Sequence, residues 1–205
     1  MLREKCAGEV IVSDGGSTDR TCDIVREYAD RNVRLVQSGR GRGIQMNAGA
    51  AAARGDVFLF LHADTRLDEG WSAAVAAALE DAGTEGGAFS LSIDSGRSHF
   101  RVIEALVALR CRLCSLPYGD QAIFMRRRTF VGMGGYRETP LMEDVDLIRR
   151  LKAAGRIVVL EEKAVTAARR WEQEGWLFTS ARNQLIMLLY RLGVDPQRLA
   201  RMYFR

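Results

Sequence analysis

Apolar positions along the chain alternate between strand-like runs and helical spacing, and this alternation predicts an α/β fold. Short apolar runs at 9–13, 33–37 and 57–61 predict strands, and the last is continuous, as in a strand covered on both faces. A helical pattern follows each run, over 19–31, 44–54 and 68–81. Because β-α-β units cross over with a right hand, we expect a doubly wound, mainly parallel sheet with helices on both faces.

The second half of the chain predicts a mixed arrangement within the same domain, which spans residues 1–205. The expected elements are strands at 87–93, 121–125, 157–160 and 164–168, and helices at 98–115, 143–154, 172–192 and 195–204.

Composition and charge narrow the class of protein. With 47% hydrophobic and 27% charged residues, and no apolar run near the ~20 residues of a membrane span, the chain is typical of a soluble globular protein. The net charge of +4 lies entirely within residues 169–205, which hold seven arginines and three acidic residues. Such a basic face suits phosphates, acidic lipid or nucleic acid, and equally a solvated helix surface.

The four cysteines and the N-terminus point to a cytoplasmic protein. Cys111 and Cys114 form the one Cys-x-x-C pair, and no second pair stands at zinc spacing. Ordinary thiols on a helix are therefore favoured over a metal or redox site. The first residues contain no apolar signal-peptide core, so we expect no export.

Two acidic turns follow predicted strands. The strand at 9–13 runs into Asp14-Gly15-Gly16-Ser17, the usual layout of a ligand site at the carboxyl edge of a sheet. Asp64 follows the strand at 57–61, where a carboxylate suits a ligand or a hard cation, or caps the next helix.

The glycine-rich loop at 39–43 suits an anionic ligand, since it combines a flexible backbone with Arg40 and Arg42. It is not a dinucleotide fingerprint, because Ile44 and Met46 occupy the positions that a third glycine would need.

Three further motifs carry chemistry and also have simpler explanations. Asp144 stands in an acidic first helical turn, which suits a general base or a favourable helix dipole. Asp120 and Gln121 on a turn suit hydroxyl recognition, and Arg170 with Trp171 suits a diphosphate and a stacked ring. Both pairs also fit an ordinary surface turn and surface helix.

Together, in order and spacing, these motifs resemble family 2 glycosyltransferases of GT-A fold. The resemblance covers nearly the whole chain from about residue 5. The local sequence around Asp64 and around Arg170 looks most like that of the bacterial "transferase 2" subgroup, which is associated with radical-SAM and selenoprotein genes. The family resemblance implies a nucleotide-binding half at 1–93, an acceptor and catalytic half at 94–168, and basic C-terminal helices at 169–205.

The resemblance implies inverting transfer of a sugar from a nucleotide-diphosphate sugar to an unknown hydroxyl acceptor (a saccharide, lipid or small molecule), with Mg²⁺ or Mn²⁺ as cofactor. It assigns Asp144 as the catalytic base and Asp64 as the metal ligand, with His62 as a second candidate ligand. The remaining assignments are Asp14, Gly15, Ser17, Arg42, Asp64 and Arg170 for the donor, and Asp120, Gln121 and Trp171 for the acceptor.

The chain departs from the family pattern at two places. His62 stands where the wider family has the first aspartate of Asp-x-Asp. Family members also open with a further β-strand and helix, which we expect to be missing here through a misplaced start codon. A neighbouring strand would then expose an edge, so we expect the chain either to be poorly stable or to form a homodimer through that edge.

Two other functions fit the same sequence, and its C-terminal helices also fit a contact with a membrane. A non-catalytic sugar-nucleotide-binding or scaffold protein would keep the fold without turnover, and a nucleotidyltransferase would release pyrophosphate. We expect no nucleic-acid partner. The apolar residues of the C-terminal helices, from Trp176 to Tyr190, either lie peripherally on the inner membrane or pack against the sheet.

Overall fold

Seven β-strands and nine α-helices form the part of the chain that the structure, a computed structural model, describes, which is residues 8–204. The strands are β1 (Val10–Asp14), β2 (Val33–Gln37), β3 (Val57–Phe60), β4 (Thr65–Leu67), β5 (Thr84–Asp94), β6 (Ile123–Arg126) and β7 (Arg156–Ala167). The helices are α1 (Thr21–Arg26), α2 (Arg42–Ala52), α3 (Trp71–Glu80), α4 (Ser98–Cys114), α5 (Arg127–Gly132), α6 (Glu143–Ala154), α7 (Arg169–Glu174), α8 (Trp176–Arg191) and α9 (Pro196–Tyr203), with 3₁₀ turns at Ala29–Arg31 and Gly119–Gln121.

The strands form two sheets. β1 and β2 make a small parallel sheet, and the other five strands are ordered β3-β6-β5-β7-β4. This mixed α/β architecture is confirmed, with a correction to the strand directions. In the larger sheet only β5 and β7 are parallel, whereas the sequence predicted mainly parallel pairs. The apolar pattern of a strand is the same in either direction, so it could not show that β6 runs antiparallel to β5.

Each sheet ends in two edge strands within residues 8–204, which are β1 and β2 in the small sheet and β3 and β4 in the large one. β1 pairs only with β2, and β3 pairs only with β6, so the small sheet is not joined to the large one. An exposed strand edge was predicted from the sequence. Dimerisation through it stays a prediction.

Helices cover both faces of the large sheet. On β6, Ile123 and Met125 point into a core that also holds Phe58 and Phe60 of β3. The residue between them, Phe124, points the other way, into a second core with Trp71 of α3. Alternate residues of one continuous apolar strand thus enter opposite cores, as that pattern predicts.

Two adjacent glycines allow the central strands to approach closely. A Cβ on Gly86 would collide with the carbonyl oxygen of Phe124 in β6, and one on Gly87 with that of Val158 in β7. β5 can therefore lie between these two strands only with glycine at both positions.

The predicted element boundaries are corrected at five places. The expected helix at 19–31 is the shorter α1 followed by the 3₁₀ turn at Ala29–Arg31. β7 is one strand where two were expected. The expected helix at 172–192 is divided into α7 and α8 at Gly175, whose φ of 87° lies in the left-handed region. β4 and α5 were not predicted, because three and six residues are too few to establish a period. None of the helices within residues 8–204 is long and apolar enough to cross a membrane.

Candidate active site

His62, Gly119 and Asp144 meet at one end of the large sheet. His62 follows β3, Gly119 opens the turn that leads into β6, and Asp144 lies in the first turn of α6. A Cβ on Gly119 would lie 3.1 Å from Asp144 Oδ2 and 3.2 Å from His62 Nε2. Because β3 and β6 are antiparallel, the end of one strand lies beside the start of the other, which brings these residues together.

Backbone amides fix the carboxylate of Asp144. The N–H of Gly119 donates to Oδ2 over 2.7 Å, and the N–H of Val145 donates to Oδ1 over 2.8 Å. The carboxylate also lies at the N-terminal end of α6, where the helix dipole favours negative charge. The group predicted as general base is thus held in one orientation beside His62.

Asp120 adds a second carboxyl group to the same cluster. Its Oδ1 is buried and has no hydrogen-bond partner within the described part of the chain. Burial raises the pKa of the Asp120 carboxyl; Arg110 opposes the rise, Asp144 adds to it, and His62 lowers it. An unpartnered polar atom at this place is a ready contact for a ligand hydroxyl.

Glu143 lies beneath the cluster and pairs with Arg42. Its Oε1 lies 2.7 Å from Arg42 Nε, while Oε2 is buried without a hydrogen-bond partner in residues 8–204. Burial raises the pKa of Glu143, Asp144 adds to the rise, and Arg42 opposes it. Arg42, predicted to bind the donor, therefore joins the glycine-rich loop to the helix that carries Asp144.

A reciprocal pair of hydrogen bonds joins α2 to the segment between α5 and α6. Asn47 of α2 donates to the carbonyl of Tyr136 over 2.9 Å and accepts from its N–H over 2.8 Å. Sequence reasoning missed Asn47, because an amide within an alanine-rich helix carries no positional signal. Gly119 belongs to the motif with Asp120 and Gln121 that sequence reasoning singled out, but that reasoning assigned no role to Gly119 itself.

The acidic turn after β1 is organised by Asp14. This carboxylate is buried, accepts from the N–H of Gly16 and of Ser17 at 3.0 Å each, and also accepts from the Ser17 hydroxyl. The hydrogen bonds from Ser17 hold the pKa of Asp14 below its usual range. Gly15 lies against the side chain of Gln45, so the turn contacts the start of α2.

Asp64 presents a carboxylate suited to a hard cation. Its side chain is exposed, while its carbonyl accepts from the N–H of Ala167 at the end of β7. No cluster of three acidic, histidine or cysteine side chains that could hold a metal occurs within residues 8–204. One exposed carboxylate fits an Mg²⁺ or Mn²⁺ ion that takes its other ligands from substrate phosphates and water.

The three remaining predicted site residues lie in other surroundings. Gln121 is 1% exposed and is hydrogen-bonded at both ends of its amide, which gives it a structural role; its contact with the acceptor stays a prediction. Trp171 packs edge-on against Phe100 in the core beneath α4, with ring centroids 6.2 Å apart. Arg170 donates to the Tyr203 hydroxyl over 2.8 Å. Neither of the last two contacts the Asp144 cluster in the structure.

A family model described as glycosyl transferase family 2 matches residues 4–131, more than half of the chain. The chain is 27% identical, over 81% of its length, to YdaM, a probable glycosyltransferase of Bacillus subtilis. It is also 40% identical, over 27% of its length, to an uncharacterized glycosyltransferase of Nostoc sp.. It spans 43% and 19% of these two relatives, less than half of each.

Solved structures of similar fold agree with these relatives. The mannosyltransferase PcManGT of Pyrobaculum calidifontis, in complex with GDP-Man and Mn²⁺, superposes with a TM-score of 0.60 at 17% identity, over 89% of this chain and 55% of that one. TarS of S. aureus, in complex with UDP, gives 0.59 at 20% identity, over 78% and 52%. At these identities the likeness shows the fold.

Proposed function

The chain belongs to glycosyl transferase family 2, and from that membership we propose that it transfers a sugar from a nucleoside-diphosphate sugar to a hydroxyl group, inverting the anomeric carbon. The observation that carries the proposal is Asp144, a carboxylate oriented by two backbone N–H groups beside His62 and Asp120. The assignment of this chain to the "transferase 2" subgroup of the family stays a prediction.

In the proposed reaction Asp144 acts as the general base. The acceptor oxygen attacks the anomeric carbon on the face opposite the diphosphate, while Asp144 takes the hydroxyl proton. The bond from the anomeric carbon to the diphosphate oxygen breaks, and the nucleoside diphosphate leaves with the electron pair. The fixed orientation of Asp144 limits the proton transfer to a hydroxyl held at one place.

The donor half of the proposal rests on two turns. The Asp14-Gly15-Gly16-Ser17 turn would hold the nucleoside, and the loop with Arg42 would face the diphosphate. Asp64 would hold Mg²⁺ or Mn²⁺, which supplies positive charge to offset the charge developing on the diphosphate. His62 is the second candidate ligand, and Arg170 a further cation for the same phosphates. The PcManGT complex with GDP-Man and Mn²⁺ supports a sugar nucleotide and a metal as the ligands of this fold.

The acceptor half rests on Asp120. Its buried, unpartnered Oδ1 beside Asp144 would accept a hydrogen bond from a hydroxyl of the acceptor and so direct the reacting oxygen. Trp171 could join the acceptor only by leaving its contact with Phe100.

The test compares Asp144→Asn with Asp146→Asn, two residues further along the same helix. Asp146 faces Arg137 and Arg150, so its substitution is expected to lower stability and leave transfer measurable. We expect Asp144→Asn to lower sugar transfer at least about a hundredfold, while its affinity for the donor nucleotide stays within a few-fold.

The assay uses a panel of UDP- and GDP-sugars with Mn²⁺, and titration calorimetry measures nucleotide binding with and without the metal. Nucleotide binding without hydrolysis or transfer would favour a scaffold. Release of pyrophosphate from a nucleoside triphosphate would favour a nucleotidyltransferase. Transfer that survives in Asp144→Asn would reject Asp144 as the base.

A further inference from the structure

α4 presents a continuous apolar stripe to the outside of the protein. Val102, Leu106, Leu109 and Leu113 are 51% to 73% exposed. Because successive residues are about 100° apart around an α-helix, these four side chains lie within about 60° of one another. The opposite face of α4 packs inward through Phe100, so the exposed stripe is not the side that holds the helix to the sheet.

α8 carries a second stripe with the same spacing. Phe178, Leu185, Leu188 and Leu192 are 49% to 72% exposed and recur at the spacing of one helical face. Ile186 and Met187 on the other side are buried in the main core. The C-terminal apolar residues are therefore divided, with one face packed against the protein and the other outside.

The two helices meet at their first turns. The ring of His99 in α4 stacks on Trp176, the first residue of α8, with centroids 4.8 Å apart and planes 17° from parallel. The exposed stripe of α4 begins three residues after His99, and that of α8 begins two residues after Trp176. Both stripes thus start from one contact.

The charges on these helices are almost all positive. α4, α8 and α9 contain seven arginines and one acidic residue, Glu104. Glu104 is paired with Arg101 at 3.0 Å and accepts from the backbone N–H of Ile93, and its side chain is 16% exposed. Arg101 and Arg112 flank the α4 stripe on one side. An apolar stripe bordered by arginines is the pattern of a helix that lies in a membrane interface.

We propose that the stripes of α4 and α8 dock this protein peripherally on an anionic lipid bilayer, with the leucines in the acyl boundary and the arginines on the headgroups. The alternative occupant is a second copy of the chain. Two α4 stripes paired antiparallel would bring Arg101 of one copy near Arg112 of the other, since these residues lie at opposite ends of the same side of the stripe. Anionic lipid supplies the charge that a second copy lacks.

The experiment measures co-sedimentation of the whole chain with vesicles. We expect binding to mixed phosphatidylglycerol and phosphatidylcholine vesicles, little binding to phosphatidylcholine alone, and weaker binding at high salt. Leu106→Gln with Leu109→Gln should lower the partition coefficient at least about tenfold, because two leucines lose their apolar contact with lipid. Arg112→Gln should lower the partition coefficient about fivefold, because one arginine contact with a lipid headgroup is lost.

The matched control is Val131→Gln on α5, which is 64% exposed and outside both stripes. It should bind vesicles like the parent, and unchanged thermal melting of every variant excludes unfolding as the cause. The proposal is overturned if the parent protein does not bind anionic vesicles, or if the variant with Leu106→Gln and Leu109→Gln binds them as well as the parent does. It is equally overturned if light scattering shows a dimer that the leucine pair abolishes without vesicle binding.

Discussion

Arg42 Nε lies 2.7 Å from Glu143 Oε1, and this ion pair joins the glycine-rich loop to the helix of Asp144. Arg42 is half-exposed, whereas Glu143 is 4% exposed and has a second oxygen with no partner in the described residues. One contact thus connects the residue proposed to face the donor with the residue next to the proposed general base, Asp144.

We expect Arg42→Gln to destabilise the protein by about 1–2 kcal/mol, because the buried carboxylate of Glu143 loses its cation. The figure stays small because water screens the exposed part of Arg42. Urea unfolding measures the change, and Arg42→Lys, which keeps the charge, should recover part of it. Unchanged stability with a large loss of donor affinity would instead assign Arg42 to the donor alone.

Gly119→Ala is expected to lower turnover more than donor affinity. The added methyl would lie 3.1 Å from Asp144 Oδ2 and 3.2 Å from His62 Nε2, so one of these side chains must move. Displacing a general base by a few tenths of an ångström lowers kcat by about tenfold or more. Steady-state kinetics with varied donor separate kcat from KM.

Gly132→Ala is the control for that substitution, because a Cβ at this helical position meets nothing within 4 Å. It should leave both kcat and KM unchanged. Equal kinetics for the two variants would show that Asp144 and His62 do not need the space at Gly119.

Asp120→Asn is expected to stabilise the protein near neutral pH. The folded-state pKa of Asp120 is raised, chiefly by burial. A raised carboxyl pKa gives a contribution that is fully present below the unfolded-state pKa of about 3.9 and lost as the pH rises through the folded-state value. The ionised carboxylate therefore weakens folding at neutral pH.

Urea unfolding at pH 7 and near pH 3 tests this. The variant should be the more stable protein at pH 7, and the difference should vanish near pH 3, where Asp120 is protonated in both states. If Asp120 also binds the acceptor, the variant loses activity as it gains stability. A difference that is constant with pH would contradict the raised pKa.

The sequence predicted the fold class and the acidic motifs because each depends on local pattern. A strand that runs into Asp14-Gly15-Gly16, or a carboxylate in the first turn of α6, is visible within a few residues. The direction of β6 is not, since it depends on the path of the chain from β5 through α4 back to the sheet. The separation of β1 from β3 is equally invisible, since it concerns which edges meet in space.

The sequence also could not show which polar residues face a ligand and which hold the protein together. Asp120 and Gln121 are adjacent and were predicted as one acceptor motif. The side chain of Asp120 has an oxygen without a hydrogen-bond partner in the described residues, whereas both polar groups of the Gln121 amide are hydrogen-bonded. The 3₁₀ turn points neighbouring side chains in different directions, so adjacency in sequence does not imply a common role.

Gln121→Leu tests the structural role that the hydrogen bonds assign to this residue. The Gln121 amide accepts from Arg110 over 2.9 Å and from the Tyr118 N–H over 3.2 Å, and donates to the Phe89 carbonyl over 3.0 Å. Leucine has a similar volume and leaves these groups unsatisfied, so we expect a loss of at least about 2 kcal/mol in the free energy of unfolding. Gln173→Leu on α7, at an exposed position, should change stability by less than about 0.5 kcal/mol.

Kinetics distinguish this role from acceptor binding. Because Gln121 holds the turn that places Gly119 against Asp144, its loss should lower kcat while KM for the acceptor stays near that of the parent. A residue that bound the acceptor would give the reverse result, a raised acceptor KM with stability unchanged.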